Sequence, residues 1–573
     1  MSAAGVSPWL AHYDPGVPAT LKPYPERTLL YYLSETVRTR PDHPVLLFKG
    51  RPMSATELDT ASNAFAAALT ELGVKKGDRV ALCLPNCPQF IIAQYGAWKA
   101  GAIVCPINPT YTAREMTDAL TTTGAETIVA LNRFYALVKS IQDRTSLRRV
   151  IATGIKEHLP PLLRIAYTLL KERKDGERIT IVPGDERFAG LLARHRGAVS
   201  PQFQPKPNDP AAILMSGGTT GTPKGVLGLH RNMVIAGLQL QRWLGSTMLE
   251  WTDSLMVPLP LFHTFTHTGA QSLALINHNP LVLIPNPRDL KDLLQQINRV
   301  RPAFICAVPT LLSGIMNHPL ARAGKVNFRS IKLCFCGATA LMAETKKRFE
   351  EATGGVIVEG YSLTEAQMAV VANPARGEKK IGSVGMPLPD VRVGIVDSED
   401  GTTPKPLGAV GEIVITAPQL MEGYWQRPEE TREMLREDEN GERALYTGDL
   451  GYLDDDGYLF IVDRKKDLIK TSGYQVWPRE IEEVISTHPA VAEVGVVGLP
   501  DEVKGERVKA WIVLRPGATV TEAELKAFCR ERLAPYKVPS EFAIVTDLPK
   551  TQVGKVLRRA LKERELERLA ARS

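Results

Sequence analysis

The segment Ile213-Leu-Met-Ser-Gly-Gly-Thr-Thr-Gly-Thr-Pro-Lys-Gly-Val226 gathers the residue types that handle phosphate. Apolar residues lead into Ser216, Gly217, Gly218, Thr219, Thr220 and Gly221, and Lys224 follows. Glycines let the backbone approach a ligand, successive N–H groups make an anion-binding concavity, and hydroxyls and an ammonium add donors. A Gly/Thr loop alone reads as a solvated turn, but the following lysine turns the reading towards a polyphosphate. It is not the familiar Gly-Lys-Ser/Thr nucleotide loop, because Pro223 precedes Lys224 and Gly225 follows it. The run Gly360-Tyr-Ser362-Leu-Thr364 has the outline of a hydrolase nucleophile elbow, except that Thr stands at its last Gly position. No His-Glu-x-x-His and no paired Cys-x-x-Cys occurs, so no zinc site is expected.

Taken in chain order, these segments and four others resemble the acyl-adenylate-forming synthetases, the family of acyl-CoA synthetases, adenylation domains and beetle luciferases. Ser216-Gly-Gly-Thr-Thr-Gly-Thr-Pro-Lys-Gly225 resembles the family's phosphate loop. Tyr361-Ser-Leu-Thr-Glu365 is similar to its aromatic-x-x-Thr-Glu element, and Gly337-Ala338-Thr339 to the segment beside adenine. Tyr446-Thr-Gly-Asp449 resembles the ribose-binding element, Asp463-Arg-Lys-Lys-Asp467 the hinge, and Pro549-Lys-Thr-Gln-Val-Gly-Lys555 the C-terminal element carrying the adenylation lysine. The matches extend over nearly the whole chain.

The resemblance implies a two-step reaction. A carboxylate attacks the α-phosphorus of ATP, giving an acyl-adenylate and pyrophosphate, and the thiol of coenzyme A then displaces AMP. The substrate is the nucleophile, so no nucleophilic side chain is needed. The first step brings two anions together, and cations must offset their repulsion. By resemblance, Mg²⁺ is held at Glu365 and Ser216, Thr364 contacts phosphate, Gly360, Tyr361 and Ser362 line the nucleotide, Asp449 binds the ribose hydroxyls, and Arg464 and Lys555 face the nucleotide. The catalytic set is Lys555, Thr364, Glu365 and His263. For the second step the C-terminal unit rotates about Lys466 and presents Lys470, Gly473 and Tyr474 to coenzyme A.

Leu259-Pro-Leu-Phe-His263-Thr-Phe265 resembles the family element lining the acyl pocket, which assigns His263, Phe265 and Tyr361 to it. The same segment, together with residues 285–290 (PNPRDL) and 308–319 (VPTLLSGIMNHP), is similar to bacterial long-chain enzymes of fatty-acid degradation. Burying each CH₂ contributes about 0.8 kcal/mol, so a long acyl chain supplies much of its own affinity. One methylene discriminates by only ~1–3 kcal/mol, so a range of chain lengths is expected. The alternatives are an adenylating ligase for a medium-chain or aryl acid, or one that loads a carrier-protein thiol. In residues 158–174, Leu162, Ile165, Ala166, Leu169 and Leu170 share one helical face and the end is basic. That suits shallow insertion into an anionic membrane interface; packing on the parent domain or a homodimer contact is the competing reading.

The elements that must position these residues alternate. A helical pattern at Ala61–Leu72 turns into an apolar strand, RVALC; Phe90–Ala100 is helical, and AIVCPIN is the next strand. The rhythm returns through residues 281–352 and implies parallel sheets covered by helices. The Pro-rich residues 200–210 read as a linker. The expected fold is therefore α/β: a large N-terminal body of several subdomains over residues 1–463, then a small α+β cap over 464–573 that rotates on a hinge near 463–467. A length of 573 residues with 44% hydrophobic and 23% charged residues fits such a chain and excludes a disordered or fibrous one. The net charge of +7 is dispersed, with no stacking motif beside it, and does not point to nucleic acid. Seven irregularly spaced cysteines, no basic-then-apolar leader and no long apolar run point to the cytoplasm, with peripheral attachment to the inner membrane face if residues 158–174 insert.

Overall fold

The computed structural model describes residues 7–199, 203–216, 223–245, 247–337, 341, 343–438, 441–472, 474–501, 503–551 and 555–570. Local signals set its elements. Ser54 caps the helix Ala55–Glu71 through a reciprocal box: its hydroxyl accepts from the Glu57 N–H at 3.2 Å, and the Glu57 carboxylate accepts from the Ser54 N–H at 2.8 Å. Such a cap contributes about 1 kcal/mol. The helix Pro88–Lys99 is buried on every face, as its nearly continuous apolar sequence requires. It crosses Ala55–Glu71 closely, because a Cβ at Gly96 would lie 2.8 Å from the Phe65 ring.

Four sheets follow among the described residues. The strands Arg79–Cys83, Ile103–Pro106, Thr127–Leu131 and Arg149–Thr153 run parallel in one of them, buried on both faces, hence their unbroken apolar sequences. Beyond Ile103–Pro106 it continues through the antiparallel pair Pro210–Met215 and Gly225–Leu229. A second sheet stacks Leu255–Val257, Phe304–Ala307, Leu333–Cys336 and Val356–Leu363 in parallel. Its strand Val356–Leu363 continues into an antiparallel pairing with Met368–Ala372. A third, antiparallel sheet spans Arg392–Val396 to Leu459–Arg464. One apolar cluster runs through all three, from Trp9 to Leu459.

The fourth sheet, Ile469–Thr471 to Glu541–Val545, has apolar clusters of its own. Ile469, Ile481, Ile485, Leu525 and Cys529 pack the helices Pro478–Ser486 and Glu522–Arg530 onto one face. Trp511, Leu548 and Leu561 fill the other face beneath the helix Arg558–Ala570. The chain is thus α/β with a large body of parallel and mixed sheets and a smaller C-terminal domain.

Two further features bear on function. The first described residues form a strap that returns to the middle of the chain. Asp14 accepts the N–H groups of Arg376 and Gly377 at 2.9 and 2.6 Å. Asp390 accepts from the Leu21 N–H at 2.8 Å and from the Tyr24 hydroxyl at 2.7 Å. The second feature concerns residues 203–210, whose Pro-rich sequence suggested a linker. They lead into the strand Pro210–Met215, which lies in the same sheet as the preceding strand Glu186–Arg187, so they separate no units. Among the described residues no helix is long and apolar enough to cross a membrane.

Candidate active site

The phosphate-loop segment is the connection of a hairpin. Ser216 ends the strand Pro210–Met215, its N–H donating to the Lys224 carbonyl at 2.8 Å, and the Lys224 N–H donates to the Ser216 hydroxyl at 3.4 Å. Gly217, Gly218, Thr219, Thr220 and Gly221 between them lie outside the described residues, as do Ala338, Thr339 and Gly473. The Lys224 ammonium lies 4.6 Å from the centre of the Tyr424 ring. The Tyr424 hydroxyl donates to Glu365 Oε1 at 2.8 Å. One tyrosine therefore ties the cation of the loop to the carboxylate that the sequence singled out.

Glu365 sits in a tight turn after the strand Val356–Leu363. The Gln367 N–H closes that turn on the Thr364 carbonyl at 3.0 Å, with Gln367 at a φ of 60°. A positive φ at a non-glycine residue is strained and concentrates at functional sites. Gly360, in the same strand, allows a close approach: a Cβ there would lie 2.7 Å from the Phe335 ring. Gly337 follows the neighbouring strand Leu333–Cys336 and faces the Gly360 carbonyl, 3.2 Å from where its own Cβ would be. Ser362 is exposed and Thr364 half-buried on this rim.

Asp449 is the centre of the site. Antiparallel register sets Asp449 directly across from Arg464, and the guanidinium Nε lies 2.9 Å from its Oδ1. The Tyr361 hydroxyl donates to Oδ2 at 2.6 Å. The carboxylate holds the Arg464 pKa up. Burial and the same carboxylate hold the Tyr361 pKa well above the ordinary phenol range, so Tyr361 stays a donor. Lys555 reaches this cluster from the C-terminal domain. Burial, then the like charge of Arg464, push its ammonium down to about 8, with Asp449 and Asp467 acting the other way. Lys466, at the Lys465–Asp467 turn, is lowered by burial and by Arg464.

The C-terminal domain is held over the site at Asp463. Its carboxylate accepts from Arg558 Nη1 at 2.6 Å and from the Arg479 N–H at 2.7 Å. Arg558 also reaches Asp467 at 3.2 Å and makes a two-pronged contact with Glu482 at 2.6 and 3.0 Å. Lys470 and Tyr474 lie apart from the Asp449 cluster. The Lys470 N–H donates to Glu506 at 2.9 Å, and Tyr474 stacks on Tyr536 at 4.3 Å.

His263 opens the π-helical turn Phe265–Ala270, a distortion common at functional sites. Burial pushes its imidazole down to about 4, so the ring is neutral at physiological pH. Phe265 packs edge-on against Phe335 at 5.7 Å, which links the His263 segment to the Gly360 strand. His267, left unassigned from the sequence, is fully buried, and neither ring nitrogen has a hydrogen-bond partner among the described residues.

Sequence reasoning missed Tyr424 and Arg558. Both act through distant partners, and neither carries a local signal beyond its own residue type. The donor set suits a magnesium ion that arrives with phosphate: one carboxylate, Glu365, and the Ser216 hydroxyl. Among the described residues no three His, Cys, Asp or Glu side chains converge on a metal-sized site, so the remaining ligands would have to come from phosphate oxygens and water.

A family model described as "AMP-binding enzyme" matches residues 33–425, and one described as "AMP-binding enzyme C-terminal domain" matches residues 480–555. A long-chain-fatty-acid–CoA ligase of Bacillus subtilis (strain 168) is 36% identical to the chain, over 98% of each. Its counterpart in Escherichia coli O6:H1 is 35% identical over 97% of this chain and 98% of its own. Among solved structures, an anthranilate CoA ligase, AuaEII, in complex with anthranoyl-AMP superposes with a TM-score of 0.82 at 26% identity, covering 96% of this chain and 98% of that one.

Proposed function

Because the chain belongs to the AMP-binding enzyme family, we propose that it is an AMP-forming acid–thiol ligase that converts long-chain fatty acids to their coenzyme A thioesters. A carboxylate oxygen bonds to the α-phosphorus of ATP while the bond to the β-phosphate oxygen breaks, releasing pyrophosphate. The coenzyme A sulfur then bonds to the acyl carbon as the carbon–oxygen bond to AMP breaks, and the thiol proton leaves to solvent. The observation that carries this reading is the Arg464–Asp449–Tyr361 cluster, whose charges act on Lys555 of the C-terminal domain.

The resemblance assigns the roles, and that geometry supports them. Asp449, held by Arg464 and Tyr361, presents oxygens to the ribose hydroxyls. Lys555 and Arg464 place positive charge where a carboxylate and a phosphate must meet. Lys224 and Thr364, on the rim, hold the departing phosphates. Magnesium bound at Glu365 and Ser216 would supply further neutralisation of phosphate charge; Tyr424 orients the Glu365 carboxylate. The resemblance assigns His263, which is neutral, to the acyl side with Phe265 and Tyr361, and Phe265 packs against Phe335. The present arrangement, with Lys555 at the Asp449 cluster, suits adenylation. Thioester formation requires the 464–573 unit to turn about Lys466, so that Lys470, Gly473 and Tyr474 come to coenzyme A.

Fatty-acid chemistry is supported by the two ligases above, each similar over essentially its full length. The seven cysteines are free and buried, which supports a reducing compartment such as the cytoplasm. Incubation with palmitate, ATP and coenzyme A should release AMP. Lys555→Ala should abolish adenylate formation by at least a hundredfold yet largely spare thioester formation from preformed palmitoyl-AMP. Equal loss in both half-reactions would remove Lys555 from its role, and turnover of benzoate but not palmitate would replace the substrate class.

A further inference from the structure

The helix Pro161–Leu170 belongs to no part of the site, and none of its residues is buried. Leu162, Leu169 and Leu170 are 81, 78 and 76% exposed, and Ile165 is exposed beside them. Leu162, Ile165 and Leu169 form one outward ridge, since positions three and four apart lie on the same side of a helix. Tyr167 points the other way and packs against the main apolar cluster. The helix is also fixed at its end: the N–H groups of Lys171 and Glu172 both donate to the Tyr167 carbonyl at 2.9 Å. A rigid element therefore holds an apolar ridge out in water, which is how interaction surfaces differ from singly exposed apolar residues.

The charges around it identify the partner. Arg164, Lys171, Arg173 and Lys174 are all exposed. The one acid between Leu159 and Lys174 is Glu172, which is paired with Lys156 at 2.7 Å. An apolar ridge with a cationic collar fits an anionic bilayer, with leucines entering the acyl boundary and lysine and arginine at the phosphates. A second copy of the chain fits poorly. A two-fold contact through this helix would set the same cations against each other.

We propose that Pro161–Leu170 docks the protein onto anionic membrane surfaces, lying flat with the Leu162–Ile165–Leu169 ridge inserted. This surface does not depend on the acyl-CoA ligase reading, and its test is read without turnover. The full chain is sedimented at low salt with vesicles of phosphatidylcholine alone and with vesicles containing one third phosphatidylglycerol. Binding should be confined to the anionic vesicles. It should fall at least tenfold in the Leu162→Asp/Leu169→Asp double variant, and fall with added salt in the wild type. The triple variant Lys171→Glu/Arg173→Glu/Lys174→Glu should lose binding while its leucines remain. Far-ultraviolet circular dichroism and an unchanged thermal midpoint check that each variant is folded. Wild-type indifference to anionic vesicles, or unchanged binding by the leucine variant, overturns the proposal. A wild-type dimer that the leucine variant dissociates, with no vesicle binding, overturns it in favour of self-association.

Discussion

Asp449, Arg464 and Tyr361 show how a few charges prepare for an anionic substrate, and each makes a measurable prediction. Tyr361→Phe removes one donor to a buried carboxylate and leaves the ring in place. A hydrogen bond to a charged group contributes about 1.5–3 kcal/mol, so KM for ATP should rise at least tenfold while the fold is kept; an unchanged KM would show that Arg464 alone orients Asp449. Burial and then Arg464 push the Lys555 ammonium down to about 8. At pH 8 about half of it is then the free amine, against roughly 0.3% for an ordinary lysine. A small amine-directed reagent should label Lys555 well before exposed lysines, and ATP, whose negative charge restores the ammonium, should slow that labelling. Peptide mapping that finds Lys555 no faster than its neighbours contradicts this environment. Away from the site, burial raises Glu177 to about 7. A carboxyl whose folded pKa is raised favours the folded state below its unfolded value near 4.5, and that benefit is lost as pH rises through about 7. Glu177→Gln should therefore raise the thermal midpoint at pH 8 and leave it unchanged at pH 4.5.

Whole elements were the most legible part of the sequence. The strands Arg79–Cys83, Ile103–Pro106 and Phe304–Ala307 and the helices Pro88–Lys99 and Leu290–Val300 carry strong apolar patterns with turn residues between them, and they form where those patterns lie. The ordered motifs pick out Tyr361, Asp449, Arg464 and Lys555; sheet register sets Asp449 across from Arg464, and the Tyr361 hydroxyl reaches Asp449 from another sheet. What stayed hidden depends on contacts between elements distant in sequence. Tyr424 meets Glu365 from 59 residues away, and Arg558 meets Asp463 from 95. No local spacing encodes such pairs. The Asp463 contact makes its own prediction. Asp463 lies at the end of the strand Leu459–Arg464, whereas Arg558 and the Arg479 N–H belong to helices packed on the fourth sheet. Asp463→Ala removes both contacts and leaves Arg558 with Glu482 and Asp467, so it should loosen the adenylation arrangement without exposing a lone buried cation. The adenylation half-reaction should slow at least tenfold and the thioester half-reaction should not; loss of both would mean that Asp463 serves folding alone.

At the scale of the molecule, one short crossing joins a body with a continuous core to a domain with apolar clusters of its own. If the two half-reactions use different placements of that domain, freezing the crossing should separate them. Lys466 occupies a 3₁₀ turn, a conformation that proline also adopts, so Lys466→Pro suits the present placement and opposes a change in φ. Palmitoyl-AMP should still form, while its conversion to the thioester should fall at least tenfold; equal rates in both steps would mean that the turn lies elsewhere. The strap at the other end of the chain bears on synthesis. Tyr24 and Asp390 are 366 residues apart, so the ribosome must deliver two thirds of the protein before Tyr24 can reach that carboxylate. At about 5–20 residues per second this is a wait of roughly 20–70 s. During that wait the Leu21 N–H and the Tyr24 hydroxyl lack their carboxylate, and the clasp at Asp390 closes late in assembling the body.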